Sequence, residues 1–531
     1  MPLFRNMTGR FIPVTILFTL MLVGCGGNPE SENAEVNKED DAKPKVNKVA
    51  VANVNLDDAQ GKNPEATLSD LATFGNGQSR NMVNPMAKNV LTKWKVKGKK
   101  VGIKWEAELG TTTYGGIVVA DGKIFIGTNN KNPRNPDIKG PKGVLMCFDQ
   151  KTGKFLWQAL HDMPEPDVVR EALHDGFCGT PTVVGDKLYY VTPNAEIVCA
   201  KTSDGKALWT VPMREKYKVS PCYVSICSPM VVDGIVYVMT GNGAVNDDGE
   251  VPHPDGASFL AVSAKDGKKI WAKSYPGKNI IEGQWSNPAY ATVNGKGQVI
   301  FAGGDSYLYG LDAKSGDMIW KFYLNSKADA KKQLDKGIPN YPIATPVIYK
   351  NRAYVGIGLF PGHFAGNKVS HFWCIDITKK GDVSPKDDNF DPKAAVNKDS
   401  ALVWHFGGYI MPKPGNGERT VYFGKTVSTA AVHDGLVYIS ELLGYVHCLD
   451  AETGKRYWVH DSFAAIWGSP MWIDGHVYYG TEQGDVKVFA HGKEEKLVAT
   501  NYMGGNLYGT PVAHGNTIYV TTRSKLIAIG E

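Results

Sequence analysis

A histidine beside an aspartate is ready-made material for proton transfer, and this chain has two such neighbours, His161-Asp162 and His174-Asp175. The imidazole titrates near neutral pH and the carboxylate can hold it in place, so either pair could act as a general acid or base. Surface-loop positions are nevertheless the favoured reading of both. Cys178, Cys222 and Cys227 fall in segments that enter predicted strands, and an oxidising compartment would allow one disulfide among them, Cys178 with Cys222 or with Cys227. Carboxylates gather twice, at Asp247, Asp248 and Glu250 and at Asp387, Asp388 and Asp391, and either group could take a calcium ion. Neither has EF-hand spacing, so solvated acidic loops are expected. The 12 histidines include no HExxH and none at ligand spacing with cysteines, so no metal site of the zinc type is expected.

The frame that must position these residues is repetitive. "GVLMCFDQKTGKFLW" ends at Trp157, "ASFLAVSAKDGKKIW" at Trp271, "SYLYGLDAKSGDMIW" at Trp320 and "GYVHCLDAETGKRYW" at Trp458. Each hairpin follows a strand pair such as "GSPMWIDGHVYYGTEQG", where alternating apolar residues flank an Asp-Gly turn. Two hairpins make four short antiparallel strands, the content of one propeller blade. Eight units can be counted, and the eighth stops at "SKLIAIGE" without its last strand. The segment "VGIKWEAEL" around Trp105 is free to supply it. The expected fold is therefore all-β: an eight-bladed propeller of four-stranded antiparallel blades, closed by an N-terminal strand that leaves no long edge exposed.

A tryptophan follows the turn glycine by four residues at Gly153 and Trp157, Gly205 and Trp209, Gly267 and Trp271, Gly316 and Trp320, and Gly454 and Trp458. Trp404 takes that part in a blade widened by an insertion, and Val498 stands where the seventh blade should have it. One indole per blade can dock on its neighbour and bury about 150–250 Å², so the joint at Val498 is expected to be weaker. Cys147, Cys199, Cys374 and Cys448 sit in strands expected to be buried and read as small apolar core residues.

The first 24 residues look like a secretory signal: Arg5 and Arg10 precede an apolar run too short for a span of about 20 residues. The run ends in Leu22-Val23-Gly24-Cys25, which resembles the lipobox of bacterial lipoproteins and implies lipidation of Cys25. Residues 25–70 are polar, without apolar period, and read as a flexible tether, with the propeller over 71–531. Gly26 rather than aspartate after Cys25 favours the periplasmic face of the outer membrane. A formal charge of +5 on 531 residues, with lysines scattered through turns, gives no reason to expect a nucleic-acid partner.

The pairing of "LDAxTGKxxW" with "SPxVxDGxVYxGT" resembles the quinoprotein-type, PQQ-like β-propeller repeat shared by pyrroloquinoline quinone (PQQ) dehydrogenases and BamB-like lipoproteins. It covers roughly Val101 to Glu531, and the wording of the whole chain is also similar to PQQ-like propeller proteins common in planctomycetes. The resemblance implies two functions. In a dehydrogenase oxidising an alcohol or sugar, PQQ rests on a tryptophan beside a calcium ion; the matching positions are Glu196 in "VTPNAEIV", Asn242 in "MTGNG", and Trp285 or Trp467 as the stacking floor. The expected catalytic aspartate is missing, because the corresponding stretch reads "IIEGQWSNP" with Glu282 or Gln284 in its place, and a glutamine cannot act as a base. Nor are there the adjacent cysteines of many such enzymes.

The other implied function is a protein-binding scaffold, and the incomplete catalytic set makes it the leading expectation. The chain is then a non-catalytic, lipid-anchored envelope protein, monomeric, with no bound cofactor, engaging protein partners through its channel mouth. Counting three residues back from each inner-strand proline, or its equivalent, gives Tyr114, Cys178, Ile226, Trp285, Ile343, Val427, Trp467 and Tyr508 as the mouth ring. Four are aromatic and none is charged, which suits a flat ligand, a docked peptide or a packed plug.

Overall fold

A computed structural model describes residues 72–164, 174–243, 250–334, 339–358, 369–408, 410–411 and 421–531. The chain divides into two compact units, 1–62 and 63–531, and the described residues all belong to the second. The signal segment, Cys25, the tether, Asp247 and Asp248 lie outside them. No helix among the described residues is long and apolar enough to cross a membrane.

The turn residues take the conformations their chemistry allows. Asp121-Gly122, Asp233-Gly234, Asn294-Gly295, Asp434-Gly435 and Asp474-Gly475 all have positive φ at both positions, as the tight hairpin turn requires. Each blade then runs outward from the bore. Blade one is Val118–Ala120, Lys123–Asn129, Lys142–Asp149 and Phe155–Asp162. Blades two to seven begin with Thr182–Val184, Met230–Val232, Ala289–Val293, Val347–Tyr349, Ala431–His433 and Met471–Ile473. Blade eight is Val512–His514, Thr517–Thr521 and Lys525–Ile529, with Ile103–Glu108 pairing antiparallel to Lys525–Ile529 as its outer strand. The N-terminal strand closes the ring as expected.

Around the bore, the residue that precedes each inner-strand proline links one blade to the next. The Gly116 N–H donates to Thr180 Oγ1, Thr180 N–H to Ser228 Oγ, Ser228 N–H to Asn287 Oδ1, and Asn287 Nδ2 to Thr345 Oγ1. Thr345 N–H then reaches Thr429 Oγ1, Thr429 N–H reaches Ser469 Oγ, and Ser469 N–H reaches Thr510 Oγ1. Short hydroxyl and amide side chains at this one position thus satisfy backbone donors that no strand ladder could.

At the rim, every outer strand carries a one-residue bulge immediately before the tryptophan position, at Lys104, Leu156, Leu208, Ile270, Ile319, Val403, Tyr457 and Val498. A bulge re-aims the next side chain and breaks the flat edge. Six indoles consequently point into the joint ahead and donate to the neighbouring turn: Trp105 to Gln150, Trp157 to Thr202, Trp209 to Ala264, Trp271 to Ala313, Trp404 to Ala451 and Trp458 to Gly492. The turn glycine lies beneath; a Cβ on Gly205 would come within 2.6 Å of the Trp157 ring. The buried apolar side chains gather in these joints, not at one centre.

Two joints differ from expectation. Blade five has no short turn to receive Trp320, so its indole N–H turns back to Gln298 Oε1 in its own blade. Gly381–Asp382, from the blade-five insertion, adds a parallel fifth strand beside it. In blade seven the bulge at Val498 puts Ala499, not Val498, at the tryptophan position, and the N-terminal segment fills the space: Leu91, Trp94 and Val96 join that cluster, and Trp94 N–H donates to Asn501 Oδ1.

That segment also seals one end of the bore, which the sequence pattern had not indicated. Residues 72–84 run along the inner strands and hydrogen-bond to blades two through eight, from Val183 N–H on the Ala72 carbonyl to Asn84 Nδ2 on the Ala513 carbonyl. Arg80 is its centre. Fully buried, its guanidinium donates to the carbonyls of Phe74, Ser228, Pro229 and Pro288 and to Thr73 Oγ1. With no carboxylate in that set, burial pulls its pKa down to about 10.

Candidate functional site

With the hairpin end of the bore filled by the strap, the opposite mouth is where strand ends and connecting loops converge. The mouth positions divide into two sectors. Tyr114, Trp467 and Tyr508, from blades one, seven and eight, come together with centroid separations of 6.3 Å for Tyr114 to Trp467, 5.1 Å for Tyr114 to Tyr508 and 5.4 Å for Trp467 to Tyr508. All three rings are half-buried. Glu482, on the turn of blade seven, accepts hydrogen bonds from Trp467 Nε1 at 3.3 Å and from Tyr508 Oη at 3.2 Å. Arg523 lies 5.8 Å from the Tyr508 centroid and donates to Thr112 Oγ1. Burial and the charge of Asp175 push the Tyr114 hydroxyl upward, so it stays protonated.

Glu482 and Arg523 were not anticipated. They occupy one repeat position, six residues after the start of the second strand, where blade one has Asn129 and blade six has Leu442. Aligning the units on their inner hairpin turns would have found them.

The other sector is packed shut. Cys178 and Ile226 join Met163, Val224 and Tyr223 in a small apolar cluster. Trp285 is 6% exposed, against Cys222 and Tyr341, with Ile226 and Ile343 alongside. Its ring meets Tyr223 at 5.9 Å and Tyr341 at 5.8 Å, and its N–H donates to the Cys222 carbonyl. Val427 is half-buried at blade six.

The positions matched to a quinone site are held by structural bonds. Asn242 has no exposed surface; its Oδ1 accepts Ser220 N–H and its Nδ2 donates to the His253 carbonyl. Gln284 donates to the Asn242 carbonyl and to Ser258 Oγ. Glu196 accepts from Thr192 Oγ1, and Glu282 accepts from Tyr341 Oη. Trp467 lies in the opposite sector. As placed, these side chains do not present a ligand set for a quinone and its calcium ion, and no group of three or more metal-ligating side chains occurs among the described residues.

The remaining candidates scatter. His161 is wedged between Phe177 and Tyr190 rather than on a loop, and burial drives its pKa down to about 4, while Asp162 pairs with Lys142. His174 is exposed. Cys178, Cys222 and Cys227 are free thiols, against the disulfide expectation: Cys178 Sγ faces the carbonyls of Asp175 and Gly176, while Cys227 Sγ accepts the Met239 N–H inside blade three. Cys147, Cys199, Cys374 and Cys448 are buried and free. Asp388 caps the helix Lys327–Leu334 through the N–H groups of Lys327 and Ala328, a structural use of that acidic run. A further pair escaped the sequence reading because the blade-five insertion separates its members: His371 Nδ1 lies 2.8 Å from His405 Nε2, with Asp329 on the far nitrogen of His371.

Comparison with known proteins identifies the repeat. The model of the PQQ-like family described as outer membrane protein assembly factor BamB matches residues 141–357 and 394–529. The chain belongs to that family. BamB of Yersinia pestis is 20% identical over 322 residues, covering 59% of this chain and 71% of its own length. Lupanine 17-hydroxylase [cytochrome c] of Pseudomonas is 27% identical over 179 residues, covering 33% of this chain but only 22% of its own length. Among solved structures, a europium-containing methanol dehydrogenase superposes with a TM-score of 0.56 at 13% identity, over 87% of this chain and 98% of its own. At that identity the likeness speaks for the fold alone.

Proposed function

We propose that this chain is a non-catalytic, lipid-anchored protein of the cell envelope whose propeller works as a protein-binding scaffold, in the manner of its BamB relatives. The observation that carries the reading is the fate of Asn242, Gln284 and Trp285, whose side chains are spent on holding the mouth together. Membership of the BamB family supports it from a second direction. The proposal includes cleavage of the signal segment 1–24, lipidation of Cys25, a tether over 25–70, a position on the periplasmic face of the outer membrane and a monomeric state. A Cys25→Ala variant should leave the membrane fraction, and its retention there would contradict the anchor.

The competing reading, a PQQ-dependent dehydrogenase for an alcohol or sugar, draws on the relationship to lupanine 17-hydroxylase. Titrating the purified protein with PQQ and calcium while following tryptophan fluorescence separates the two. The scaffold reading expects no saturable quench and no acceptor reduction with alcohols; stoichiometric binding with turnover would replace it.

A further inference from the structure

Resting on the protein-binding reading, we propose that the mouth sector of blades seven, eight and one recognises a lysine or arginine side chain carried by the partner polypeptide. Among the described residues Glu482 forms no ion pair; its contacts are the neutral donors Trp467 Nε1 and Tyr508 Oη, at 3.3 and 3.2 Å. A half-buried carboxylate normally finds a cation, because leaving its charge desolvated is costly. Arg523, beside the Tyr508 ring, spends a guanidinium N–H on Thr112 instead. Two such contacts leave part of the carboxylate's four lone-pair sites open.

The walls suit the same ligand. Three ring systems lie with centroids within 6.3 Å of one another, and two of them, Trp467 and Tyr508, bond that carboxylate through their polar edges. Aromatic faces attract ammonium and guanidinium groups, and a lysine or arginine stem can lie along them while its head reaches the acid. Asp175 adds negative potential at Tyr114. An anionic ligand would meet repulsion from Glu482 at the centre of the patch, with Arg523 set to its side against Tyr508 and Thr112, and a neutral flat ring would leave the carboxylate without its counter-charge. The supporting loops are short and tied blade to blade, Glu482 N–H donating to the Ala465 carbonyl and Arg523 N–H to the Asn506 carbonyl. Such a rigid patch of Trp, Tyr and Arg has the composition of an interface hot spot.

The test is calorimetric titration of the purified protein with the peptide Ac-GKGSGKGSGKG-amide and with the same peptide acetylated on its lysines. Wild-type protein should prefer the unmodified peptide by about tenfold or more, and Glu482→Gln should erase that preference. Both proteins should melt at the same temperature, and Asp204→Asn on the far face should bind as wild type. Equal binding of the two peptides, an unaffected Glu482→Gln variant, or equal weakening by Asp204→Asn would each overturn the proposal. If a photo-cross-linker at the mouth still captures the same partner in the Glu482→Gln background, the scaffold reading stands and the cation site falls.

Discussion

The two ends of the bore are built on opposite plans. At the hairpin end, one segment of the chain's own backbone satisfies seven blades, and a buried cation finds only carbonyls and a hydroxyl as partners. At the mouth, three rings and a carboxylate remain half-buried, and the carboxylate takes long hydrogen bonds from two neutral donors, Trp467 Nε1 and Tyr508 Oη. Polar groups at the first are saturated and serve stability; those at the second keep capacity in reserve and can serve recognition. The difference teaches that in a closed propeller the bore is not itself the site.

The comparison breaks most readily at Arg80. Arg80→Met leaves four carbonyls and a hydroxyl without their donor, and should cost about 5 kcal/mol, read as a fall in the urea midpoint. A loss under about 1 kcal/mol would show that the strap decorates the ring without securing it. Next, Trp271→Ala removes an indole that is 5% exposed and bonded to Ala313, with an expected loss of about 3–4 kcal/mol.

Acid should act through buried histidines rather than through the mouth. His447 is fully buried with neither ring nitrogen hydrogen-bonded, and desolvation holds its pKa at about 3. Unfolding frees it to bind a proton below its ordinary pKa near 6.5, so stability present above that pH is lost as pH falls, by up to about 1.4 kcal/mol per unit. His447→Phe should flatten the stability profile between pH 6.5 and 5 by one proton's slope; an unchanged profile would put the acid sensitivity elsewhere. The smallest expected effect is at the mouth, where Trp467→Leu should change stability by less than about 1 kcal/mol while abolishing the preference for a lysine peptide.

Much of this was legible in the chain because the repeat writes each local rule many times. Asp-Gly fixes the hairpin, a glycine four residues before tryptophan fixes the joint, and the missing strand of blade eight points to Trp105. Non-repeating pieces were not legible. Nothing in "LATFGNGQSRNMVNP" announces a strap, because its bonds are made by backbone and by one arginine whose partners lie up to 208 residues away. Blade seven was misread for a related reason: a bulge shifts the tryptophan position from Val498 to Ala499, and Trp94, which packs in the same cluster, comes from outside the repeat. At the mouth, the types and positions of Tyr114, Trp467 and Tyr508 could be read, but only folding brings those three together and turns Trp285 inward.

The most direct measurement places a photoactivatable amino acid at Leu443, 37% exposed on the blade-six turn at the mouth end, and in a second strain at Lys151 on the far face. After irradiation of intact cells, the account predicts one discrete protein adduct from position 443 and none from position 151. No adduct at 443, or the same adducts from both positions, would contradict it.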